Sequence, residues 1–426
     1  MTNPLLRLDS ASRRQFLMNT AKTALGVTVF SQMDKLGAAS APTPAGIGGK
    51  AKSVIYLYMS GGMSHVDTWD PKTGETKGES DPVSTNGGFQ LGGYMTNMAK
   101  HGNEIAIIRS MSAKSGVHEG GNYLMHTGYD PRGTIVHPSM GAWAQYFLGK
   151  GKGTLPSSVT IGAGAGHPGA GFFPPSLSPV PIGDPNRGLQ NSKTAVGDDQ
   201  FSKRVALMNE FDTTFRDKFK SSDVKDYTGF YDETLKLLKS EELKAFDITQ
   251  EKQEARDLYG KSNFGQGCLL ARRLVQNGVR FVEVQLGGWD MHNNIDGAMK
   301  TTGATMDSVF AALLTDLKAN GLLDSTMVVM GSEFGRTPHI NENRGRDHYP
   351  VAYSTVFAGG GIKGGYIHGS TDKDGKSVTD KQVTVQDYIA TIGAAMGLPV
   401  SQVVFSPSGR PFTVGDKGQV VAEMFA

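Results

Sequence analysis

Four short apolar runs, each emptying into a polar loop, constrain this chain most. They are residues 54–59 (VIYLYM), 105–108 (IAII), 281–286 (FVEVQL) and 327–330 (MVVM). Runs this short and nearly continuous read as strands covered on both faces, the habit of a parallel sheet. Between residues 264 and 396 strands alternate with helical spacings. One such spacing covers 264–277 and is closed by Gly278, another covers 306–320 with Gly321 beyond it, and a third covers 385–396. The expected fold is α/β, a mainly parallel sheet sandwiched by helices. Residues 159–161 and 353–357 are further strand candidates, and 122–127 and 138–148 are further helical ones. Residues 200–260 are charged, helical and poor in glycine, so an inserted helical segment is expected there. Residues 162–188, rich in Gly and Pro, are expected to form a surface loop beside a site.

Composition narrows the class. The chain has 426 residues, 38% hydrophobic and 20% charged, and a net charge of +2. That balance supplies no bulk field for nucleic acid or a membrane surface. A single cysteine, Cys268, excludes a disulfide within the chain. It lies in the helical pattern GQGCLLARRLV, which predicts a buried thiol. At the N-terminus Ser12-Arg13-Arg14-Gln15-Phe16-Leu17 is a twin-arginine pattern, and the mildly apolar residues 24–30 follow it. Residues 1–41 are therefore expected to be a signal peptide read by the twin-arginine translocase, with 42–52 a linker and 53–426 the main domain. The expected location is the periplasm or the exterior. No later stretch reaches the roughly 20 apolar residues of a membrane span, so no transmembrane anchor is expected.

The loops after the four runs carry the chemistry. They hold His65, Asp67 and Asp70; His118 and Glu119; Asp290 and His292; and Glu333, Arg336, His339, Arg346, Asp347 and His348. Parallel strands would gather all four at one sheet edge. Histidine beside carboxylate is the ligand mix of zinc, manganese or iron. Asp290 and His292 share a face if extended, whereas Asp347 and His348 point apart, so one of the latter would bind and the other support. Arg336 and Arg346 suit a phosphate, sulfate or carboxylate. The plainer reading is an arginine–carboxylate network that only holds a loop. Trp69, Trp143 and Trp289 are expected in the core. His101, His137, His167 and His368 are expected on surface loops.

GGMSHVDTWDPK, GVHEGGNYLMHTGY, LLARRLVQNGVRFVEVQLGGWDMH and GSEFGRTPHINENRGRDHYP together resemble the signatures of DUF1501. This is a twin-arginine-exported bacterial family of the alkaline phosphatase/sulfatase-like superfamily. The resemblance covers about residues 53–400. It implies that superfamily's fold and a metal-dependent phosphatase, sulfatase, phosphodiesterase or phosphomutase chemistry. By the same resemblance Glu333 stands for the acidic residue of the superfamily's Asp-His-Gly turn, which here reads Glu-Phe-Gly. Asp290 and His292 resemble its Asp…His ligand pair, and His348 its late histidine ligand. Its first strand ends in an aspartate, whereas this one ends in Ser60-Gly61-Gly62, with Asp67 later. Nothing matches the sulfatase Cys/Ser-x-Pro-x-Arg nucleophile motif. Aligning Leu124–Gly128 puts His118 at the nucleophile position, with Ser110, Ser112 and Ser115 upstream as alternatives. The expected metal set is His65, Asp67, Asp290, His292, Glu333, Asp347 and His348, holding zinc, manganese, iron or calcium. The expected catalytic set is His118, Arg336 and Ser115, acting on an anionic ester. The competing expectation is a non-catalytic metal-binding or scaffold protein of the envelope.

Overall fold

The computed structural model describes residues 48–426, apart from 152, 165, 193–195 and 219–221. The expected export segment, and the expected linker before residue 48, lie outside the described residues. Nine strands form the main sheet: β1 (Ser53–Met59), β2 (Ile105–Ser112), β3 (Ser158–Ile161), β4 (Val180–Ile182), β5 (Phe281–Leu286), β6 (Thr326–Gly331), β7 (Tyr353–Gly359), β8 (Tyr366–His368) and β9 (Val383–Thr384). Their order is β8-β2-β7-β6-β1-β5-β3-β4, with β9 also on β2. β1 is central. Its Val54 is in register with Phe281 on one side and Met327 on the other, both parallel. Only β7 runs antiparallel, between β2 and β6. Its apolar run predicts a strand, but direction is not encoded in such a run.

The sheet is sandwiched because alternate residues of each strand bury on opposite faces. Ile55, Leu57 and Met59 join a core with α5 (Asn263–Gln276) and α6 (Ala304–Ala319). Val54, Tyr56 and Tyr58 face the other core, with α1 (His118–Thr127), α2 (Met140–Leu148) and α7 (Val385–Ala395). Burying a side chain such as Leu57 contributes about 1.5–3 kcal/mol, so the β1 alternation alone fixes which face meets which helices. Cys268 and all three tryptophans are buried. Residues 198–258 hold α3 (Asp198–Lys218) and α4 (Ser222–Leu238), then shorter turns.

α1 begins four residues before the expected start at 122. The reason is local. The Ser115 hydroxyl accepts the Val117 N–H at 3.2 Å and Gly121 N–H reaches Val117 O at 2.9 Å, so the turn closes early. Gly121 also lets the helix approach β6's end, because a Cβ there would stand 3.0 Å from Glu333 Cβ. Gly128, at φ +78°, ends the helix.

The expectation for the outlying histidines is corrected at two positions, His137 and His368. His137 is buried and stacked on Tyr129 at 4.3 Å. His368 is buried in β8. His167 sits on a loop as expected, half-buried, with its Nε2 3.4 Å from the buried Glu283. His137 is also covered by Tyr123 on α1 and by the remote Phe412, so a loop-like sequence context said nothing of burial.

Candidate metal centre

The carboxyl ends of β1, β5 and β6 lie side by side, as parallel pairing requires. Two residues past β1 stands Gly61, whose N–H donates to Glu333 Oε1 at 2.7 Å. Gly61 has φ +123°, and a Cβ there would stand 2.4 Å from Asp290 N, so only glycine lets these strand ends approach. After β6 the chain forms a ribbon in which Gly335–Arg336 pairs antiparallel with His348–Tyr349. This ribbon carries His348 back over the strand ends. The start of α1 supplies His118.

Three imidazole nitrogens approach one carboxylate oxygen. Asp290 Oδ1 lies 3.0 Å from His292 Nε2, 3.2 Å from His348 Nε2 and 3.4 Å from His118 Nε2. The Nε2 atoms of His292 and His348 are 3.0 Å apart. The other nitrogen of each ring faces an acceptor. His118 Nδ1 meets Glu333 Oε1 at 2.9 Å, His292 Nδ1 meets Asp347 Oδ1 at 2.9 Å, and His348 Nδ1 meets the Gly116 carbonyl at 2.7 Å. An acceptor at Nδ1 holds a hydrogen there, so a ring that gives up any second proton to a metal offers its lone pair at Nε2. Three Nε2 atoms therefore face Asp290 Oδ1, and that of His118 is buried without a hydrogen-bond partner. Arg336 already supplies positive charge to Asp290 and a donor, at 3.3 Å, to His292 Nε2, and a divalent ion would serve the rings of His118 and His348 in the same way. Tetrahedral ligands at 2.0–2.1 Å from a metal stand about 3.3 Å apart, close to the spacings of Asp290 Oδ1 from His118 and His348 Nε2, which with it form a group able to hold a metal. The residues fit a divalent ion, and each ring already has the supporting contact such a ligand needs.

Electrostatics agree. Burial pushes the Asp290 carboxyl up, but Arg336 and then His348 and His118 outweigh it and bring its pKa to about 2. His292, with a smaller contribution from Asn341, holds Asp347 below its ordinary value against slight burial.

The two arginines are buried and engaged. Arg336 donates to Gly62 O at 2.9 Å, Arg346 O at 3.1 Å, His292 Nε2 at 3.3 Å, Gly61 O and Asp290. Arg346 grips Asp67 through two nitrogens at 2.7 and 3.2 Å and also donates to Pro338 O. Neither guanidinium is presented to a substrate. Of the residues singled out from sequence, the structure brings together His118, Asp290, His292, Glu333, Arg336, Asp347 and His348. It does not bring His65 or Asp67 to that point. His65 Nε2 meets Gly375 O at 2.9 Å, and Asp67 serves Arg346. Ser115 caps the turn into α1. The segment carrying Asp290 and His292 is a tight turn, not extended, with His292 N–H on Asp290 O at 3.1 Å.

The family model described as "Protein of unknown function (DUF1501)" matches residues 51–425. The chain belongs to the DUF1501 family. No curated protein matches the sequence. Solved structures similar to this DUF1501 chain include the lipoteichoic acid synthase LtaP from Listeria monocytogenes, with 12% identity, 86% of this chain and 78% of that one covered, and a TM-score of 0.37. The PsFucS1 sulfatase from Pseudoalteromonas sp. has 13% identity, coverages of 93% and 78%, and a TM-score of 0.38. The alkaline phosphatase of the Antarctic bacterium TAB5 has 12% identity, coverages of 73% and 92%, and a TM-score of 0.33. At these scores the likeness carries no argument about chemistry.

This DUF1501 chain holds a second polar cluster that sequence reasoning missed. Glu283, inside β5, is buried. Its Oε1 is 3.0 Å from His126 Nε2 and its Oε2 is 3.4 Å from His167 Nε2. The available signal was a lone glutamate within FVEVQL, a run otherwise read as buried on both faces. Such a carboxylate needs a partner. His118, Asn122 and His126 also fall at i, i+4 and i+8 on α1, so one helix face serves both clusters.

Proposed function

We propose that this protein is an exported, metal-dependent hydrolase of phosphate or sulfate esters. The observation that carries the proposal is the approach of three Nε2 atoms to Asp290 Oδ1, each ring fixed by a separate acceptor. In this reading His118, His292, His348 and Asp290 hold a divalent ion. Glu333, Asp347 and the Gly116 carbonyl orient the rings, and Arg336 orients Asp290. An imidazole-rich set suits zinc, iron or manganese better than calcium, which takes oxygen ligands. When bound, the ion supplies Lewis acidity toward an ester oxygen and a water nucleophile. His118 then serves as a ligand, and its Nε2 is not the covalent nucleophile. Export rests on the twin-arginine pattern at residues 12–17.

Metal content of the folded protein by plasma mass spectrometry tests this, beside His292→Ala. About one transition-metal ion per chain, lost in the variant, is expected. A folded wild type that takes up none would sink the proposal. Full metal occupancy with no turnover on phosphate and sulfate monoesters or diesters would favour a metal-binding scaffold, a reading that the two engaged arginines also support.

A further inference from the structure

With Arg336 and Arg346 both spent, an anionic substrate needs other donors. They are found one turn along α1. A cavity of about 240 Å³ lies between this helix and the ends of β1 and β5. It is smaller than the roughly 300–1,000 Å³ of sites for drug-sized ligands, so it suits a compact group. Asn122, Gln285 and Ser60 line it, with His126 and His167. Asn122 Oδ1 accepts the Tyr58 hydroxyl at 2.5 Å, and Gln285 Oε1 accepts Gly164 N–H at 3.0 Å. Both amide oxygens are thus occupied, and what each amide has left to offer is its NH₂ group.

The paired histidines complete the wall. His126 Nδ1 faces Asn122 O at 2.6 Å and its Nε2 faces Glu283 Oε1 at 3.0 Å. Two acceptors require two hydrogens, so this ring is an imidazolium. His167 Nδ1 accepts Gly169 N–H at 3.1 Å, which places its own hydrogen on Nε2, toward Glu283. This tautomer is the reverse of those at the metal centre. A hydrogen occupies the position a metal would need, so the His126–Glu283–His167 group is a charge-balanced wall and not a second cation site.

We propose that this cavity is the subsite for the tetrahedral oxyanion of the substrate, bound by the NH₂ groups of Asn122 and Gln285 and the Ser60 hydroxyl beside the His126 imidazolium. The inference rests on the ester-hydrolase reading and supplies its substrate contacts. Asn122 stands one helical turn, about 6 Å of rise, from the ligand His118, which places the subsite next to the metal. Glu119, at the exposed rim, works against an anion and limits the charge that enters.

The test is calorimetric titration of inorganic phosphate and of sulfate into the metal-loaded protein, its Asn122→Asp, Gln285→Glu and Glu119→Gln variants, and a metal-stripped sample. Metal content is measured on every preparation. The aspartate and glutamate replacements keep the oxygen that Tyr58 or Gly164 needs, so the fold is retained. Each is expected to weaken at least one of the two anions tenfold or more with metal content unchanged, and Glu119→Gln is expected to tighten binding. Unaltered binding in both acidic variants would place the anion on the metal alone and overturn the subsite. So would failure of both anions to bind the metal-loaded wild type. A wild type that takes up no metal defeats the hydrolase reading separately. Anion binding that is still lost in the two variants would then support the subsite by itself.

Discussion

At the residue scale, what separates ligand from support is which ring nitrogen carries the hydrogen. Glu333 and Asp347 sit on the Nδ1 side of His118 and His292. They are therefore placed to support ligands. Removing such a partner typically costs 10–100-fold in metal affinity. Glu333→Gln is expected to fall in that range, measured by competition with a chelator, with the far-ultraviolet circular dichroism unchanged. An affinity equal to wild type would show that the Glu333 contact is idle. Asp67 and Arg346 give a different kind of prediction. Both side chains are essentially buried, so Arg346→Met strands a carboxylate. Breaking a buried pair from one side costs about 3–5 kcal/mol. A urea midpoint within error of wild type would contradict this.

The His126–Glu283 pair adds a pH signature. Burial lowers the His126 pKa, but Glu283 more than offsets it and leaves it above the ordinary 6.5. Burial raises the Glu283 pKa, and His126 and His167 reverse that to well below the ordinary 4.5. The raised histidine contributes stability that is fully present below 6.5 and fades as pH rises through its folded value. The depressed glutamate contributes stability present above 4.5 and lost as pH falls. The pair is therefore worth most between those two values. The loss of stability in His126→Gln, measured in urea, should be larger at pH 6 than at pH 9. Equal losses at the two pH values would mean that His126 is neutral in the fold.

At the element scale, the site depends on close approach of strand ends and on a short ribbon. Gly61 is the critical joint, combining positive φ with a 2.4 Å approach to the Asp290 backbone. Backbone strain of this kind costs about 1–3 kcal/mol, and here a steric clash adds to it. Gly61→Ala should therefore lower the melting temperature and reduce metal uptake together, because Gly61 N–H also holds Glu333. Loss of one without the other would separate the strand end from the site. The sequence showed these elements unevenly. The runs at β1, β5 and β6 were visible because apolar continuity is a local signal. The start of α1 was not, because paired glycines read as loop until the packing against Glu333 is known.

At the scale of the whole molecule, two hydrophobic cores flank the sheet independently of the polar edge. Removing metal should leave the sheet folded and lower only its stability. A ligand present at 100 times its Kd stabilises by about 2.7 kcal/mol. A chelator should lower the melting temperature of the wild type, and the fitting divalent ion should restore it. Neither should move His292→Ala. A chelator-insensitive wild type that contains metal would mean that the ion sits elsewhere.

The sequence alone determined the α/β class, the parallel core strands and the loops that carry the polar residues. Each follows from the order of apolar and polar side chains, which any chain must respect when it buries one and wets the other. Only the tertiary structure decided the antiparallel course of β7, the separation of His65 and Asp67 from the cluster, and the engagement of both arginines. It alone joined Glu283 to His126 and His167. These outcomes depend on contacts between residues up to 310 positions apart, as His65 and Gly375 are. They also depend on which ring nitrogen meets an acceptor. A hydrogen's position on an imidazole is set by what stands beside it in space, and the order of residues does not record that.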